Sequence, residues 1–372
     1  MNEKRNAIFT AAIICAIILI FTVADFFNGE RTFSDTENRI LAAKPEFSWE
    51  ELFYGDYTTD YENYVTDQFV SRDKWIGIKT NMDIALQKKE INGVYLCEDD
   101  YLIEQHDPAE YTEEMVSTRL TLLKKLVDTW DAQVMLVPTA DNILTDKLPT
   151  YAVYYNQAAF LERVKNEIGE ENYVDVYSML KEHSDEEIYY RTDHHWTSLG
   201  AYYGFLAWAD AVDRFPYPYA VNNMETVSDN FEGTLHSKIN LDMATDSIQI
   251  FPETKLRPVK VSYDYVKETD TLYEESYLST KNQYGYFIDD NHGFVEIDTD
   301  YKNGRTLFII KDSYANSMIP LLTPHYEKIY VIDLRYFNGR LFDFMKICEP
   351  DEGMDVLLLY NCIHFLEEFK YF

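Results

Sequence analysis

Three apolar runs in the last third of the chain restrict the fold more than any other feature of the sequence. They are Thr306–Lys311 (TLFIIK), Lys328–Asp333 (KIYVID) and Asp355–Tyr360 (DVLLLY). Continuous apolar runs of this length are typical of strands that are buried on both faces of a sheet. Segments with helical spacing separate them, and strands that alternate with helices form a mainly parallel sheet through right-handed crossovers. We therefore predict an α/β domain in which helices flank the sheet.

The middle of the chain continues this pattern less clearly. Gln133–Pro138 is predicted as another buried strand, after an amphipathic helix at about Thr112–Trp130. Tyr173–Tyr177 is predicted as a strand and Tyr314–Leu322 as a helix. Residues 213–300 contain short strand-like runs and many polar turns, so we expect an irregular insertion there rather than core.

The N-terminal residues predict a membrane anchor. After two basic residues, Ala7–Ala24 continues for 18 residues without a charge, which is close to the span of a hydrocarbon core and longer than the apolar part of most signal peptides. Positive charge before this run and acidic residues after it predict an N-terminus inside the cell and a main domain outside the cytoplasm. A cleaved signal peptide is the alternative. We expect residues 1–24 to form a cytoplasmic tip and anchor, 25–56 a tether, and 57–372 the α/β domain.

The charge of the chain argues against one class of partner. It has 65 acidic residues against 33 Lys and Arg, which gives a formal net charge of −32. A nucleic-acid partner is not expected, because a phosphate backbone requires clustered Lys and Arg. The cysteines and histidines show no paired zinc-ligand spacing, and neither a cofactor nor a metal is expected.

Ser313 is the first candidate for chemistry. It lies two residues after the last residue of the predicted strand Thr306–Lys311, and it precedes a predicted helix. Ligands of an open parallel sheet bind at the carboxyl ends of the strands. A serine in such a turn is exposed at the sheet edge, where the amides that open the next helix can stabilise a developing oxyanion. The alternative is that Asp312 or Ser313 only caps the helix.

The second candidate is the segment Asp193-His194-His195-Trp196. A serine hydroxyl needs a base to become a nucleophile, and histidine suits that role near neutral pH. The base needs an acceptor that holds its tautomer, and an aspartate two residues earlier can supply it. Two alternatives stay open for these residues: a metal site, because aspartate and histidine ligate zinc, and a purely structural role.

A resemblance to a known family narrows these alternatives. It is carried by Arg191–Tyr202 (RTDHHWTSLGAY), Phe308–Ser317 (FIIKDSYANS) and Lys328–Tyr336 (KIYVIDLRY), and by the shorter segments Phe33-Ser34, Glu37-Asn38-Arg39, Asp67-Gln68-Phe69 and Asn92-Gly93-Val94-Tyr95. These segments resemble the DHHW family, exported bacterial proteins of the SGNH-hydrolase-like class that are related to the alginate O-acetylation proteins. The resemblance covers nearly the whole chain outside residues 213–300 and implies an SGNH-hydrolase-like fold.

The resemblance also implies roles for individual residues. Ser313 would be the nucleophile, His195 the base and Asp193 the residue that orients it. Asn361 occupies a place similar to the oxyanion-binding asparagine of SGNH hydrolases, although Leu359 stands where their block has a glycine. The Gly-Asp-Ser that is usual in SGNH hydrolases is replaced by Lys311-Asp312-Ser313, which departs from their pattern at the turn.

Three further residues are candidates for substrate binding. Arg335 ends a predicted strand at the same sheet edge and can clamp an anionic or carbonyl group, or it can form a surface ion pair. Trp196 can stack on a sugar ring, or it can anchor the core. His194 is grouped with them because it adjoins the proposed base.

The function that the resemblance implies is transfer of an acyl group, most simply acetyl, to a cell-envelope or exported polysaccharide. Because acetyl-CoA is cytoplasmic, the donor would be a multi-pass membrane protein that carries the acyl group across the membrane. Two alternatives remain: a carbohydrate esterase with the same three residues, and a non-catalytic protein that binds the envelope or a polysaccharide.

Overall fold

The computed structural model describes residues 2–34, 39–241, 243–350 and 353–370. The chain divides into two compact units, of which one comprises Met1–Lys88 with Ser237–Asp242 and the other Lys89–His236 with Met243–Phe372. The predicted division into anchor, tether and domain concerns the protein in the cell and stays a prediction.

The described residues contain helices and short strands in the following order along the chain. The helices are α1 (Asn2–Phe26), α2 (Trp49–Tyr54), α3 (Asp56–Gln68), α4 (Arg72–Ala85), α5 (Glu113–Trp130), α6 (Ala140–Ile143), α7 (Gln157–Ile168), α8 (Val176–Glu182), α9 (Ser198–Ala211), α10 (Thr234–Ile239), α11 (Pro252–Lys255), α12 (Ile319–Leu322), α13 (Leu341–Cys348) and α14 (Cys362–Glu368). The strands are β1 (Phe33–Ser34), β2 (Arg39–Ile40), β3 (Glu90–Ile91), β4 (Val94–Leu96), β5 (Leu102–Glu104), β6 (Gln133–Val137), β7 (Glu225–Phe231), β8 (Asp246–Ile250), β9 (Val259–Tyr263), β10 (Lys267–Thr269), β11 (Phe294–Thr299), β12 (Thr306–Lys311), β13 (Lys328–Asp333) and β14 (Asp355–Asn361).

One large sheet organises the second unit. Its strand order is β10-β9-β11-β13-β12-β14-β6. The strands β13, β12, β14 and β6 are parallel neighbours, and β11, β9 and β10 extend the sheet antiparallel beyond β13. The predicted α/β fold with a mainly parallel sheet and flanking helices is therefore confirmed.

The composition of β12 follows from its position in the middle of this sheet. Leu307 and Ile309 pack in one hydrophobic cluster, whereas Phe308 and Ile310 pack in another. Successive side chains of a strand point to opposite faces, so a strand covered on both faces is apolar at successive positions, as residues 307–310 are. Each of these fully buried side chains contributes about 1.5–3 kcal/mol of transfer free energy.

Two of the predicted elements were wrong in type or extent. The predicted strand Tyr173–Tyr177 contains one isolated bridge, at Tyr173, and α8 begins within it. The predicted helix Tyr314–Leu322 is a 3₁₀ turn, Ser313–Ser317, followed by the short α12. Pro320 lies in the first turn of α12, and proline starts a helix more readily than it continues one, because it lacks the backbone N–H.

The region 213–300 differs most from the expectation. It contributes β9, β10 and β11 to the large sheet, where Val261 and Ile297 are fully buried. The strand β11 alternates buried and partly buried residues, the pattern of an antiparallel strand rather than of a strand covered on both faces. The expectation that this region lies outside the core was therefore wrong.

The first unit contains the N-terminal helix and three of the family-like segments. Lys4–Asp25, within α1, is the one helix of the described residues that is long and apolar enough to cross a membrane, with a mean hydropathy of 2.8. Arg39 binds Asp67 bidentately, with Nη1–Oδ2 and Nη2–Oδ1 distances of 2.8 and 2.5 Å. That hydrogen-bonded pair lowers the pKa of Asp67 to about 2. These two family-like positions are structural, while Glu37 and Asn38 lie outside the described residues.

Candidate active site

Ser313 lies where β12 ends, beside the end of β14. The two strands are parallel, and Lys311 lies opposite Leu359. Asn361, two residues after Leu359, therefore lies beside Ser313, two residues after Lys311. The buried Asp312 links the two strand ends: its Oδ1 accepts the N–H of Tyr314 at 3.0 Å, and its Oδ2 accepts the N–H of Asn361 at 2.9 Å. Asp312 is therefore the helix cap, and the hydroxyl of Ser313 is left for another partner.

That partner is His195. Its Nε2 lies 2.8 Å from Ser313 Oγ, and its Nδ1 lies 2.5 Å from Asp193 Oδ1. The exposed fractions of Ser313, His195 and Asp193 are 6, 5 and 3%, so little solvent competes for these hydrogen bonds. The structure brings together Ser313 and His195, which lie 118 positions apart in the chain, with Asp193 two positions before His195.

The carboxylate of Asp193 is held from several sides. Its Oδ1 also accepts the backbone N–H of His195 at 3.0 Å, and its Oδ2 accepts the N–H and the hydroxyl of Thr234 at 2.8 and 3.1 Å. A Cβ on Gly233 would lie 2.2 Å from that of Asp193, so this approach requires glycine. Burial alone would raise the pKa of Asp193, but the imidazoles of His195 and His194 and the hydrogen bonds outweigh it and lower the pKa well below its usual range. Asp193 is therefore an anion at neutral pH.

Tyr284 supports the imidazole from one face. Its ring stacks on that of His195 with a centroid distance of 3.8 Å and an interplanar angle of 12°. The Tyr284 hydroxyl donates to Ser317 Oγ at 3.2 Å and to the carbonyl of Ser313 at 3.3 Å, so one side chain contacts both the base and the serine turn. Sequence reasoning missed this residue, because nothing local separates it from the other tyrosines among the 31 in the chain.

Trp196 is part of the core. Its side chain is fully buried, and its Nε1 donates to the carbonyl of Tyr314 at 2.8 Å. A Cβ on Gly204 would lie 2.7 Å from the indole ring. A ring enclosed in this way has no face for a sugar, so the candidate role in substrate stacking is wrong and Trp196 anchors the segment that carries His195.

His194 faces a different direction from His195. Its Nδ1 lies 2.7 Å from Thr234 Oγ1, and its ring centroid lies 3.9 Å from that of His195. Burial, and next the neighbouring imidazole of His195, lower the pKa of His194 to about 3, so this side chain is neutral at physiological pH.

Among the residues that the structure describes, one group of side chains could hold a metal ion, namely the adjacent Asp193, His194 and His195, whose ligand atoms lie within 4.8 Å of one another. Both ring nitrogens of His195 and both carboxylate oxygens of Asp193 already take part in hydrogen bonds. Binding an ion would break several of these bonds, including the one to Ser313. The donor set therefore fits a proton relay better than a metal centre.

Arg335 does not face the serine. Its Nε and Nη2 bind Asp333 Oδ1 and Oδ2 at 2.9 and 2.7 Å, and its Nη1 lies 3.7 Å from Glu368. The candidate role of a substrate clamp is therefore not supported by its position, and the ion-pair alternative describes the contacts of Arg335.

Lys311, which stands where SGNH hydrolases have a glycine, has hydrogen-bond partners for its ammonium group. Its fully buried Nζ donates to Asn291 Oδ1 at 2.9 Å and to Asn316 Oδ1 at 2.8 Å, and it lies 3.3 Å from Asp333 Oδ2. Burial lowers the pKa of Lys311, which Asp333 partly opposes. Lys311 therefore links the end of β12 to Asn291 and Asn316 and does not contact Ser313 Oγ or His195.

Asn361 has one side free toward the site. Its Oδ1 accepts the N–H groups of Ile363 and His364 at 2.9 and 2.8 Å, which caps α14. Among the described residues, none accepts from its Nδ2, and none accepts from the backbone N–H of Ser313. Asn361 lines a cleft of about 160 Å³ that also reaches Asp193 and His194. These two donors are the candidates for an oxyanion site.

Solved structures of known proteins are similar to this chain. A DHHW family protein from Eubacterium siraeum matches with a TM-score of 0.62 at 24% identity, over 74% of this chain and 93% of that one. Bacillus cereus PatB1, solved with a sulfonyl adduct, matches with a TM-score of 0.59 at 17% identity, over 75% and 100%. The O-acetyltransferase domain of Pseudomonas putida AlgJ matches more weakly, with a TM-score of 0.47 at 16% identity, over 75% and 94%. The search among curated proteins found no match.

The sequence model described as DHHW protein matches residues 130–332, more than half of the chain, and this range includes Asp193, His195 and Ser313. The resemblance predicted from the sequence is thereby confirmed. The solved structures have the same mixed α/β fold at low identity. The chain belongs to the DHHW family.

Proposed function

We propose that this protein is a serine-dependent O-acyltransferase that moves an acetyl group onto a hydroxyl of a cell-envelope or exported polysaccharide. The observation that carries the proposal is the 2.8 Å contact between His195 Nε2 and Ser313 Oγ, with Asp193 on the opposite ring nitrogen. A serine, an imidazole and a carboxylate in this sequence of contacts form the arrangement that activates a hydroxyl for attack on an ester or thioester carbonyl.

The first half of the reaction forms an acyl-serine. His195 Nε2 takes the proton of Ser313 Oγ as the oxygen bonds to the acetyl carbonyl carbon of the donor. The tetrahedral intermediate then collapses, the bond to the leaving group breaks, and His195 gives that group the proton. The anionic Asp193 stabilises the imidazolium between these steps.

The oxyanion of each intermediate needs hydrogen-bond donors. The N–H of Ser313 and Nδ2 of Asn361 are suited to this role, because no described residue occupies them and both lie at adjacent parallel strand ends. Removing one such donor typically costs about 10²–10³ in rate.

The second half transfers the acetyl group. A sugar hydroxyl gives its proton to His195 and attacks the acyl-serine carbonyl, and Ser313 regains a proton from His195 as the ester bond breaks. Water in place of the sugar would make the protein an esterase, which uses the same residues. The resemblance to the alginate O-acetylation proteins favours a sugar acceptor.

The N-terminal helix supports the location and the donor that we propose. The span of Lys4–Asp25 supports a single-pass anchor, and basic residues before it and acidic residues after it favour an extracytoplasmic main domain. An acyl group from cytoplasmic acetyl-CoA must then cross the membrane, so we propose a multi-pass membrane protein as the donor partner.

Covalent labelling tests the nucleophile. The full-length chain in detergent, treated with phenylmethanesulfonyl fluoride, is expected to gain one sulfonyl group on Ser313, mapped by peptide mass spectrometry. Ser313→Ala should not be labelled, whereas Ser279→Ala, which removes an exposed hydroxyl, should be labelled as the wild type is. An unlabelled Ser313 in folded wild-type protein would contradict the proposal and favour a non-catalytic binding protein.

Product analysis separates transfer from hydrolysis. With 4-nitrophenyl acetate as donor and an oligosaccharide as acceptor, an acetylated sugar is the expected product. Free acetate alone, at every acceptor concentration, would favour the esterase.

A further inference from the structure

The cleft beside the triad has an unusual charge for a site that faces an extracellular polymer. Five of its lining residues are acidic and none is Lys or Arg. Two of the five, Asp193 and Asp141, are paired with histidines, whereas Glu104, Glu110 and Glu367 lie around the opening. A ligand that enters past these carboxylates meets a negative potential.

A second histidine–aspartate pair forms one wall of this cleft. His106 Nδ1 lies 2.8 Å from Asp141 Oδ2. The fully buried Asp141 also accepts at Oδ1 from Thr139 Oγ1 at 2.6 Å, from Asn142 Nδ2 at 3.0 Å and from Gln157 Nε2 at 3.2 Å. A carboxylate fixed by this many donors fixes the orientation of His106, as an outer-shell partner does in catalytic and metal sites.

The other nitrogen of His106 points into the cleft. The residue is 7% exposed and lines the cleft, and no described residue hydrogen-bonds to its Nε2, which lies 4.0 Å from Glu104 Oε2. Asn361, 2% exposed, presents its Nδ2 to the same cleft. His106 Nε2 and Asn361 Nδ2 therefore lack a hydrogen-bond partner among the described residues, and a bound ligand can provide one.

The sheet places the support of His106 two strands away from the strand that leads to the serine. Asp141 follows β6, which pairs with β14 with Asn361 opposite Val137, and β14 pairs with β12, which leads to Ser313. Two strand spacings correspond to about 10 Å between the ends of β6 and β12. The cleft meets the triad at Asp193 and also includes His194 and Asn361, whereas the hydroxyl of Ser313 is bonded to His195 and not to His106.

We propose that this cleft binds the acceptor glycan, that His106 hydrogen-bonds one of its hydroxyls, and that the carboxylates select neutral or amino-bearing sugars over uronate or phosphate polymers. The inference rests on the proposed function and specifies its substrate class. His106 and Asn361 supply directional contacts, Asp141 is a positioning residue, and the carboxylates around the opening supply the charge filter, since like charges repel a polyanion before it reaches the serine.

Calorimetric titration of the full-length chain in detergent tests this specificity. Three oligosaccharides of equal length serve as probes: a chitin oligosaccharide, its de-N-acetylated cationic form, and an anionic oligogalacturonate. The first two are expected to bind, and the third at least tenfold more weakly at low salt. Equal or tighter binding of the oligogalacturonate would overturn the charge filter.

Two variants locate the binding. His106→Gln should weaken the chitin oligosaccharide about three- to tenfold, the effect of one lost hydrogen bond, whereas His183→Gln, which changes a histidine outside the cleft, should leave the affinity unchanged. Glu110→Gln removes an exposed charge at the opening. It should reduce the ratio of the Kd for oligogalacturonate to the Kd for the chitin oligosaccharide about twofold or more. If thermal unfolding shows that His106→Gln does not fold, Glu110→Gln decides the inference by itself.

Sulfonyl labelling distinguishes this inference from the one on which it rests. A labelled Ser313 in a protein that binds no oligosaccharide, or whose His106→Gln variant binds as the wild type does, overturns the acceptor cleft and leaves the acyl-serine proposal standing. Binding as described without labelling of Ser313 would instead overturn the acyl-serine proposal and leave a glycan-binding cleft.

Discussion

His195–Asp193 and His106–Asp141 are two histidine–aspartate pairs in one structural unit, with nearly the same internal geometry. In each, a buried carboxylate oxygen lies 2.5–2.8 Å from an imidazole Nδ1, and further hydrogen bonds hold the carboxylate. They differ in what meets Nε2, which is Ser313 Oγ for His195 and the cleft for His106. The pairing itself therefore does not determine a role; the group at the second nitrogen does.

The two imidazoles also differ in what covers their faces. Tyr284 stacks on His195, whereas no ring of the described residues stacks on His106. Stacking on Tyr284 therefore adds to the hydrogen bond with Asp193 in orienting His195, whereas His106 is oriented by its hydrogen bond with Asp141.

The largest expected effect is the loss of esterase rate on changing Asp193, the carboxylate of the pair that contacts the serine. Asp193→Asn should lower kcat/KM for 4-nitrophenyl acetate by about 10²–10⁴, because an amide cannot stabilise the imidazolium and favours the wrong tautomer. Asp185→Asn, an exposed carboxylate of the same unit, is the matched control and should retain the wild-type value. A rate within threefold of the wild type for Asp193→Asn would mean that His195 does not act as a base.

The next effect concerns the stacked ring. Tyr284→Ala should destabilise the protein by about 3–5 kcal/mol and lower kcat at least tenfold, because the imidazole loses its support. Tyr284→Phe keeps the ring and loses only the hydroxyl bonds, at a cost of about 1 kcal/mol. Denaturant unfolding and initial rates measure both. Equal rates in the two variants would show that the hydroxyl, and not the ring, is the part that matters.

A smaller effect tests whether Asp141 acts through His106. Asp141→Asn should weaken the chitin oligosaccharide by about the same three- to tenfold as His106→Gln, and the double variant should lose little more, since both changes remove one oriented imidazole. Calorimetric affinities of the three variants complete the cycle. Additive losses would mean that the two residues contribute independently.

The smallest effect is a pH dependence of stability. Burial alone would lower the pKa of His106, but the charge of Asp141 and their hydrogen bond reverse this and raise it. A raised pKa in the folded state adds stability that is fully present below the unfolded value of about 6.5 and is lost as the pH rises through the folded pKa. The difference in Tm between wild type and His106→Gln should therefore be larger at pH 5.5 than at pH 8.5. A constant difference would mean that His106 titrates as it does in the unfolded chain.

The parallel half of the sheet and its antiparallel edge differ in how far the sequence predicted them. The runs that became β12, β13 and β14 were predicted from apolar content alone, because strands buried on both faces have no polar position to confuse the pattern. The strands β9, β10 and β11 are short and alternate weakly, and their pairing with β13 depends on contacts far along the chain. Local pattern therefore could not show that residues 213–300 belong to the core.

The candidate site divides in the same way. The residue types and the positions of Asp193, His195 and Ser313 could be predicted, since chemistry restricts which side chains activate a hydroxyl and a strand end restricts where it lies. The burial of Trp196 and the ion pair of Arg335 could not, because each depends on what packs against the side chain.

By itself, the sequence determined the alternation of strand and helix, the apolar N-terminal span and the net charge, since these follow from local pattern and composition. It also supplied Asp193, His195 and Ser313 as candidates, for which the family resemblance favoured acyl transfer over a metal site or a structural role. Only the tertiary structure decided that Tyr284 stacks on His195, that the buried Lys311 is bonded to Asn291 and Asn316 beside Asp333, and that His106 lines an acidic cleft. Those contacts join residues distant in the chain, and their free energy arises from packing and pairing that no local pattern encodes.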